Sequence, residues 1–280
     1  MTISTVSLHN GLSVPQVGLG VFLITDEQDL SKTVMSAIES GYRHFDTATA
    51  YGNEEALGEA LKQSGVPRDE LFLTTKVWNN MQGYEKTKEA LEISLEKLGT
   101  DYIDLYLIHW FGKDVTGTWK AMEELYKAGK IKSIGVCNFD IDHLKELLAV
   151  AEIKPMINQV ETHPYFPQDE LRAFMDEHDI KHEAWGPLSQ GKSDLLVNPV
   201  IEELAAKYEK TSAQIVLRWH LERGTIIIPK STNAGRILEN ISLFDFSLTE
   251  EDMAAMKGIN TETRYGREPR DLEFIEKTSI

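Results

Sequence analysis

The stretch DLYLIH, residues 104–109, is apolar from Leu105 to Ile108 and then ends at His109. A strand with one face in solvent alternates apolar and polar residues, whereas a strand buried on both faces is continuously apolar. Parallel sheets have helices packed on their faces, and their strands follow this second pattern. The stretch therefore predicts a central strand of a parallel sheet.

Seven more short runs of this kind occur along the chain, separated by segments whose apolar residues recur at helical spacing, such as Leu30, Val34 and Ile38. The eight runs are VGLG (17–20), YRHFD (42–46), LFLTTK (71–76), IDLYLIH (103–109), KSIGVCN (132–138), MINQVE (156–161), KHEAWG (181–186) and TIIIPK (225–230). Eight strands alternating with helices predict an α/β fold, a closed (β/α)8 TIM barrel.

Several further elements flank or interrupt the eight units. Residues 6–8 and 12–14 alternate around Asn10-Gly11, which predicts an N-terminal hairpin with a two-residue turn. Helical patterns at 197–207 and 211–223 both precede the last strand, so one of these helices is additional to the repeat.

The C-terminal region adds one more predicted helix, at 249–258. No linker or change of composition divides the chain, so we expect residues 1–280 to form one barrel domain.

The net charge and the cysteine content limit which binding partners and which cellular compartment are expected. A net charge of −16 disfavours nucleic acid and anionic membranes as partners. Cys137 is the only cysteine, so no intrachain disulfide can form, as is usual in a reducing cytoplasm. The first residues have no signal-peptide pattern and no apolar run is long enough to cross a bilayer. We therefore expect a cytoplasmic protein that acts on small molecules.

Polar or ring-bearing residues lie at the end of most of the runs after the first. They are Asp46, Lys76, His109, Asn138, Gln159, Glu161, Trp185 and Lys230. The carboxyl ends of barrel strands meet at one rim, where active sites of such barrels are found. The pattern predicts a functional site at that rim.

Four residues of this rim form a set suited to carbonyl chemistry. A buried ammonium at Lys76 requires a carboxylate partner, and Asp46 is predicted to supply it. Tyr51 follows Asp46 on the next loop, and a nearby Lys76 would lower its pKa from the usual value near 10. Tyr51 could then act as a general acid, with His109 donating a second hydrogen bond to the same oxygen. Reduction by this set also requires a hydride, which only a cofactor can supply.

The cofactor site is predicted at the last strand. The GxGxxG fingerprint of Rossmann folds is absent, whereas IPKSTNAGRILEN, residues 228–240, places Lys230 and Ser231 before a helix that contains Arg236. A helix start flanked by these basic residues is suited to a phosphomonoester such as the 2′-phosphate of NADP.

Seven ordered motifs resemble signatures of the aldo-keto reductase family. They are HFDTATAYGNEEALGEAL, TTKVW, LYLIHW, IGVCNF, INQVE, AWGPLSQG and IPKSTNAGRILEN. The resemblance extends from about residue 6 to about residue 265. It is strongest to bacterial members similar to 2,5-diketo-D-gluconate reductase, which also reduce small dicarbonyls such as methylglyoxal.

The resemblance implies a barrel with an N-terminal hairpin that uses NADPH without a metal to reduce aldehydes or ketones. We expect a monomer or a weakly associating dimer. Tyr51 would donate the proton, Asp46 and Lys76 would tune it, and His109 would orient the carbonyl. The implied cofactor residues are Gly20, Val21, Phe22, Asp46, Asn138, Gln159, Trp185, Lys230, Ser231, Arg236, Glu239 and Asn240. The implied substrate residues are Phe22, Trp78, Trp110 and Phe111.

The chain departs from the usual family pattern at three positions, with Phe111 for Pro, Cys137 for Ser and Trp185 for Tyr or Phe. The polar tail TETRYGREPRDLEF, residues 261–274, is expected to close over the site. Its three arginines would either attract an anionic substrate or remain in solvent.

Two other functions on the same barrel remain open from the residues alone. A Schiff-base aldolase would use Lys76 or Lys230, although pairing with Asp46 would keep Lys76 protonated. A cofactor-sensing regulatory subunit would have no need of a complete set of Asp46, Tyr51, Lys76 and His109. A metal hydrolase is disfavoured, because no second histidine ends a strand.

Overall fold

The computed structural model describes residues 3–280, in which eight parallel strands follow one another round a barrel. Seven of the eight predicted runs contain one of them, and the run 71–76 covers all of the third except its last residue, Val77. The strands are β3 Leu19–Gly20, β4 His44–Asp46, β5 Phe72–Val77, β6 Leu105–Ile108, β7 Ile134–Cys137, β8 Ile157–Glu161, β9 Lys181–Trp185 and β10 Ile226–Ile227. The first and last strands meet through a parallel bridge from Val17 to Ile227, and Gly18 N donates to Ile227 O at 2.8 Å. The predicted (β/α)8 barrel is confirmed.

Helices surround the barrel. They are α1 Glu27–Ser40, α2 Glu54–Gln63, α3 Tyr84–Leu98, α4 Val115–Lys127, α5 Ile141–Leu148, α6 Asp169–Glu177, α7 Pro199–Tyr208, α8 Ser212–Glu222, α9 Ala234–Ile241, α10 Glu250–Lys257 and α11 Leu272–Thr278. The boundaries of α1 follow from capping, because Asp26 accepts a hydrogen bond from Asp29 N and Gly41 ends the helix at φ 100°. Of the helices formed by residues 3–280, none has the length and apolarity to cross a membrane.

The N-terminal hairpin is present, but its turn differs from the prediction. Strands β1, Thr5–Ser7, and β2, Ser13–Pro15, are antiparallel, and Leu8 N donates to Leu12 O at 2.8 Å. The loop therefore has three residues, of which only Gly11 has a positive φ, 86°. The predicted two-residue turn is therefore wrong. The Asn10 side chain anchors the loop by donating to Lys132 O.

The predicted helices near the C-terminus are present as α7, α8 and α10, and α11 is additional. Helix α11 lies at the end of the polar tail, and Asp271 caps it by accepting a hydrogen bond from Phe274 N. Seven residues are too few for a helix to be stable alone, so α11 depends on its packing against the barrel.

Helices α2 and α3 approach one another at Gly58. A Cβ atom at this position would lie 2.6 Å from the backbone oxygen of Leu98 and 2.8 Å from its Cα. These are backbone atoms, so a side chain could be accommodated only by separating the two helices.

We therefore expect Gly58→Ala to lower the free energy of unfolding by about 1–2 kcal/mol, since the clash outweighs the gain in helix propensity. Urea unfolding measures the change. Glu59→Ala, at an exposed position of the same helix, is the control and should change stability by less than about 0.5 kcal/mol. An increase in stability for Gly58→Ala would contradict the close approach.

Candidate active site

Asp46 and Lys76 form a buried ion pair at the rim of the barrel. Lys76 Nζ donates to Asp46 Oδ1 at 2.7 Å, to Asp46 Oδ2 at 2.8 Å and to Thr47 O at 2.8 Å. Both side chains are almost entirely out of solvent. Burial alone would lower the pKa of Lys76, but the Asp46 carboxylate, with smaller contributions from Tyr51 and Cys137, more than offsets this and the pKa is raised. The amine is therefore charged at neutral pH.

Tyr51 lies beside this pair, at the end of a 3-10 turn over Thr49–Tyr51. Its hydroxyl is 3.5 Å from Lys76 Nζ, and Thr49 Oγ1 fixes the turn by donating to Lys76 O at 3.0 Å. Burial raises the pKa of Tyr51, and the nearby Lys76 charge offsets only part of that rise. The expectation of a lowered pKa is wrong, because the sequence indicates the charged neighbour and not the extent of desolvation.

His109, at the end of β6, completes the cluster. Its ring is in edge contact with Tyr51, with centroids 5.7 Å apart, and with Trp78 at 5.0 Å. Burial and the Lys76 charge hold the pKa of His109 well below its usual value, so the ring is neutral. A neutral imidazole has one N–H group and can therefore donate one hydrogen bond.

Three more predicted rim residues are linked by hydrogen bonds. Gln159 Nε2 donates to Asp46 Oδ2 at 2.8 Å, which ties β8 to β4. Asn138 Nδ2 donates to His109 O at 3.1 Å, while its Oδ1 accepts from Trp185 Nε1 at 2.9 Å. Cys137 is buried beneath them, and burial raises its pKa, so the thiol is un-ionised.

The predicted phosphate site is exposed and basic. Lys230 and Arg236 are exposed, and neither forms an ion pair with a carboxylate anywhere in residues 3–280. Ser231, which precedes α9, and Asn240, which lies within it, are both buried. Glu239 accepts a hydrogen bond from Thr211 Oγ1 at 2.8 Å.

The end of β3 and the two residues after it border the same rim. Val21 N donates to Asp46 O at 3.0 Å, and a Cβ at Gly20 would lie 2.9 Å from Ile228 O, so this position has no room for a side chain. Phe22 is 45% exposed and its ring centroid is 4.9 Å from that of Tyr51.

Two of the predicted pocket residues, Trp78 and Trp110, share a partner that sequence analysis did not identify. Phe274 of α11 makes edge contacts with both, at centroid distances of 5.9 Å and 5.2 Å. Phe111 instead stacks on His143 of α5, with centroids 4.1 Å apart, so its ring packs against this helix.

The C-terminal strap, residues 264–280, carries Phe274 across the rim. Its arginines are paired within the protein, as Arg264 lies 3.2 Å from Glu268, Arg267 lies 2.5 Å from Asp271, and Arg270 contacts Asp140 at 2.5 Å and Asp142 at 2.6 Å. The expected closing of the tail over the site agrees with these contacts. The paired charges do not support attraction of an anionic substrate.

A second carboxylic acid, Glu183, lies inside the barrel and was not identified from the sequence. It is fully buried, and neither of its oxygens has a hydrogen-bond partner within residues 3–280. Burial, with a contribution from Asp46, raises the pKa of Glu183 to about 8. His44 Nε2 lies 3.8 Å away, and burial lowers the pKa of His44 to about 4, so both groups are mainly neutral at pH 7.

The sequence matches the family described as "Aldo/keto reductase family" over residues 16–261. The chain belongs to the aldo/keto reductase family, and the predicted class of oxidoreductase is confirmed. It is 52% identical over 271 residues to glyoxal reductase from Bacillus subtilis, covering 96% of this chain and 98% of that protein. It is 45% identical over 269 residues to methylglyoxal reductase DkgA from Escherichia coli O157:H7, covering 95% and 97%.

Solved structures agree with this assignment. The aldo-keto reductase from Bombyx mori in complex with NADP has a TM-score of 0.90 and 37% identity, covering 95% of this chain and 96% of that one. The barrel predicted from the strand pattern is therefore the fold of experimentally solved members of the family.

The buried ion pair generates a stability prediction. We expect Lys76→Met to lower the free energy of unfolding by about 3–5 kcal/mol, because Asp46 would be left as an unpaired buried charge. The double variant Asp46→Asn/Lys76→Met removes both charges and should recover much of the loss. Urea unfolding compares the three proteins, and equal losses for the single and double variants would contradict the pairing.

Proposed function

We propose that this protein uses NADPH to reduce small aldehydes and ketones, in particular dicarbonyls such as glyoxal and methylglyoxal, to alcohols. The observation that carries the proposal is the position of the Tyr51 hydroxyl, 3.5 Å from a buried ammonium and with its ring in edge contact with neutral His109. The names of the relatives, glyoxal reductase and methylglyoxal reductase, support the substrate class.

The proposed proton donor has the properties that donation requires. Burial keeps the phenol of Tyr51 protonated in the resting site. When Tyr51 passes its proton to a carbonyl oxygen, the Lys76 ammonium stabilises the phenolate that remains. His109, being neutral, donates a hydrogen bond to the same oxygen and polarises the carbonyl.

The residues around the rim fit the proposed cofactor. Bound NADPH would supply the hydride for the carbonyl carbon, and Tyr51 would supply the proton for the oxygen, which together account for the conversion of C=O to CH–OH. We propose that Lys230, Ser231 and Arg236 hold its 2′-phosphate, because two unpaired basic side chains flank the start of α9. A solved relative in complex with NADP supports this choice.

At the other end of the cofactor, we propose that Asn138 and Gln159 hold the nicotinamide amide, with Trp185 stacked on the ring. Gly20, Val21 and Phe22 border the nicotinamide, and Glu239 and Asn240 hold the adenosine. Trp78 and Trp110 wall the substrate side. Phe111, whose ring is held by stacking on His143, is proposed to line the same side.

The aldolase alternative is weakened by the geometry of Lys76. A Schiff-base lysine must be a free amine, whereas the Asp46 carboxylate raises the pKa of Lys76. The regulatory-subunit alternative is weakened by the complete cluster of Asp46, Tyr51, Lys76 and His109, because sensing a cofactor needs no proton donor.

NADPH consumption with a panel of glyoxal, methylglyoxal, simple aldehydes and keto sugars tests the substrate class. We expect the highest kcat/KM for the small dicarbonyls, since the aromatic rings of Trp78, Trp110 and Phe274 narrow the rim. A preference for keto sugars would contradict this part of the proposal.

Tyr51→Phe should lower kcat by at least about a hundredfold, because it removes the proton donor. The dissociation constant for NADPH, measured by fluorescence titration, should change little. Tyr84→Phe is the matched control, because the Tyr84 hydroxyl donates to Glu124 Oε2 of α4 at 2.6 Å and not to any residue of the proposed site, and this variant should turn over normally. Near-normal turnover by Tyr51→Phe would exclude this residue as the donor.

Arg236→Ala should weaken binding of NADPH about tenfold or more while leaving NADH binding nearly unchanged, because only NADPH carries the 2′-phosphate. The two dissociation constants are compared by titration. Arg218→Ala removes an arginine that pairs with Glu222 at 2.8 Å, and it should alter neither constant. Equal weakening of NADPH and NADH by Arg236→Ala would contradict the phosphate contact.

A further inference from the structure

Glu161, the last residue of β8, is a buried carboxylate that the proposed reaction does not use. Its side chain is 2% exposed. Oε1 accepts a hydrogen bond from Tyr265 N at 2.7 Å, and Oε2 accepts one from Gly266 N at 2.9 Å. One carboxylate therefore holds two successive backbone amides of the C-terminal strap.

Glu161 is itself fixed from two further directions. His163 Nε2 lies 3.1 Å from Oε1, and the Arg264 guanidinium lies 3.7 Å from Oε2. Burial opposes the charged form, but the hydrogen bonds from His163 and from the two backbone amides outweigh it and lower the pKa of Glu161. Glu161 is therefore a charged acceptor at neutral pH, and charge-assisted hydrogen bonds of this kind are strong.

The backbone that Glu161 holds lies directly against Trp185. A Cβ atom on Gly266 would overlap the Cη2 atom of Trp185 and would lie 2.6 Å from Glu161 Oε2. Glycine is therefore required here by close packing. The opposite edge of the indole is fixed by its Nε1, which donates to Asn138 Oδ1 at 2.9 Å.

We propose that Glu161 is a positioning residue for Trp185, acting through the Tyr265–Gly266 backbone. The carboxylate fixes the backbone, the backbone limits the six-membered ring of the indole, and Asn138 fixes the other edge. The inference rests on the proposed function, in which Trp185 stacks on the nicotinamide. Glu161 thus sets the plane of that stacking without touching the cofactor or the substrate.

The first experiment measures the anchor without any ligand. Glu161→Gln keeps the volume of the side chain, but it has one acceptor oxygen and turns an NH2 group towards the second backbone amide. We expect faster hydrogen exchange at the amides of Tyr265 and Gly266. We also expect a shift of the Trp185 indole N–H resonance, which is assigned by its absence from Trp185→Phe. Unchanged exchange and an unchanged resonance would overturn the proposal.

The second experiment measures binding of two ligands. Glu161→Gln should weaken NADPH about fivefold to tenfold, as expected for loss of one hydrogen bond to a charged group. Adenosine 2′,5′-bisphosphate has no nicotinamide, so its dissociation constant should not change. Equal weakening of both ligands would indicate a general structural defect and would overturn the positioning role.

Two further variants separate the anchor from its surroundings. Glu268→Gln removes the charge of the other carboxylate that pairs with Arg264. The Glu268 side chain is 71% exposed, so this variant should leave both dissociation constants unchanged. Gly266→Ala keeps Glu161 but crowds Trp185, so it should also weaken NADPH selectively. Normal NADPH binding by Gly266→Ala would overturn the packing step. This variant also tests the proposal if Glu161→Gln fails to fold.

These outcomes are distinct from failure of the proposed function. If the wild-type protein did not bind NADPH, the proposed cofactor would be wrong. The exchange rates and the Trp185 resonance would still decide whether Glu161 positions the ring, because neither measurement requires a ligand.

Discussion

The buried pair of Asp46 and Lys76 is the interaction on which the rest of the site depends. An ammonium inside a barrel is very costly unless its donors are satisfied, and Lys76 Nζ reaches both Asp46 oxygens and the carbonyl of Thr47. The carboxylate also accepts from Gln159 on β8. The pair therefore links three strands and is satisfied only when their register is correct.

The position of Tyr51 follows from the same pair. The turn that carries it is fixed to the backbone of Lys76 on β5 through Thr49, so this hydrogen bond holds the phenol close to the ammonium. Burial favours the phenol and the ammonium favours the phenolate. A donor benefits from both effects, because it must keep its proton before the reaction and tolerate its loss during the reaction.

Sequence reasoning succeeded where the physical cause is local. Burial on both faces makes a run such as LYLI continuously apolar, and strand ends in a barrel converge whatever lies between them. It failed where the cause is distant. The sign of the Tyr51 pKa shift depends on desolvation by surrounding residues, and α11 is stabilised by Trp78 and Trp110, which lie far from it in sequence. Glu183 gave no signal, because a strand of alternating character does not reveal that its acid lacks a partner.

The strap and the start of α9 differ in whether their basic side chains are paired with carboxylates. The arginines of the strap are neutralised by Glu268, Asp271, Asp140 and Asp142, so the strap contributes little net charge to the rim. Unpaired basic charge is instead available at the start of α9, in a chain whose net charge is −16. What the strap adds near His109 is apolar, namely the ring of Phe274 against two tryptophans. In the proposed mechanism, such rings would lower the local dielectric and so strengthen the hydrogen bonds that Tyr51 and His109 donate, because electrostatic interactions grow as the dielectric falls.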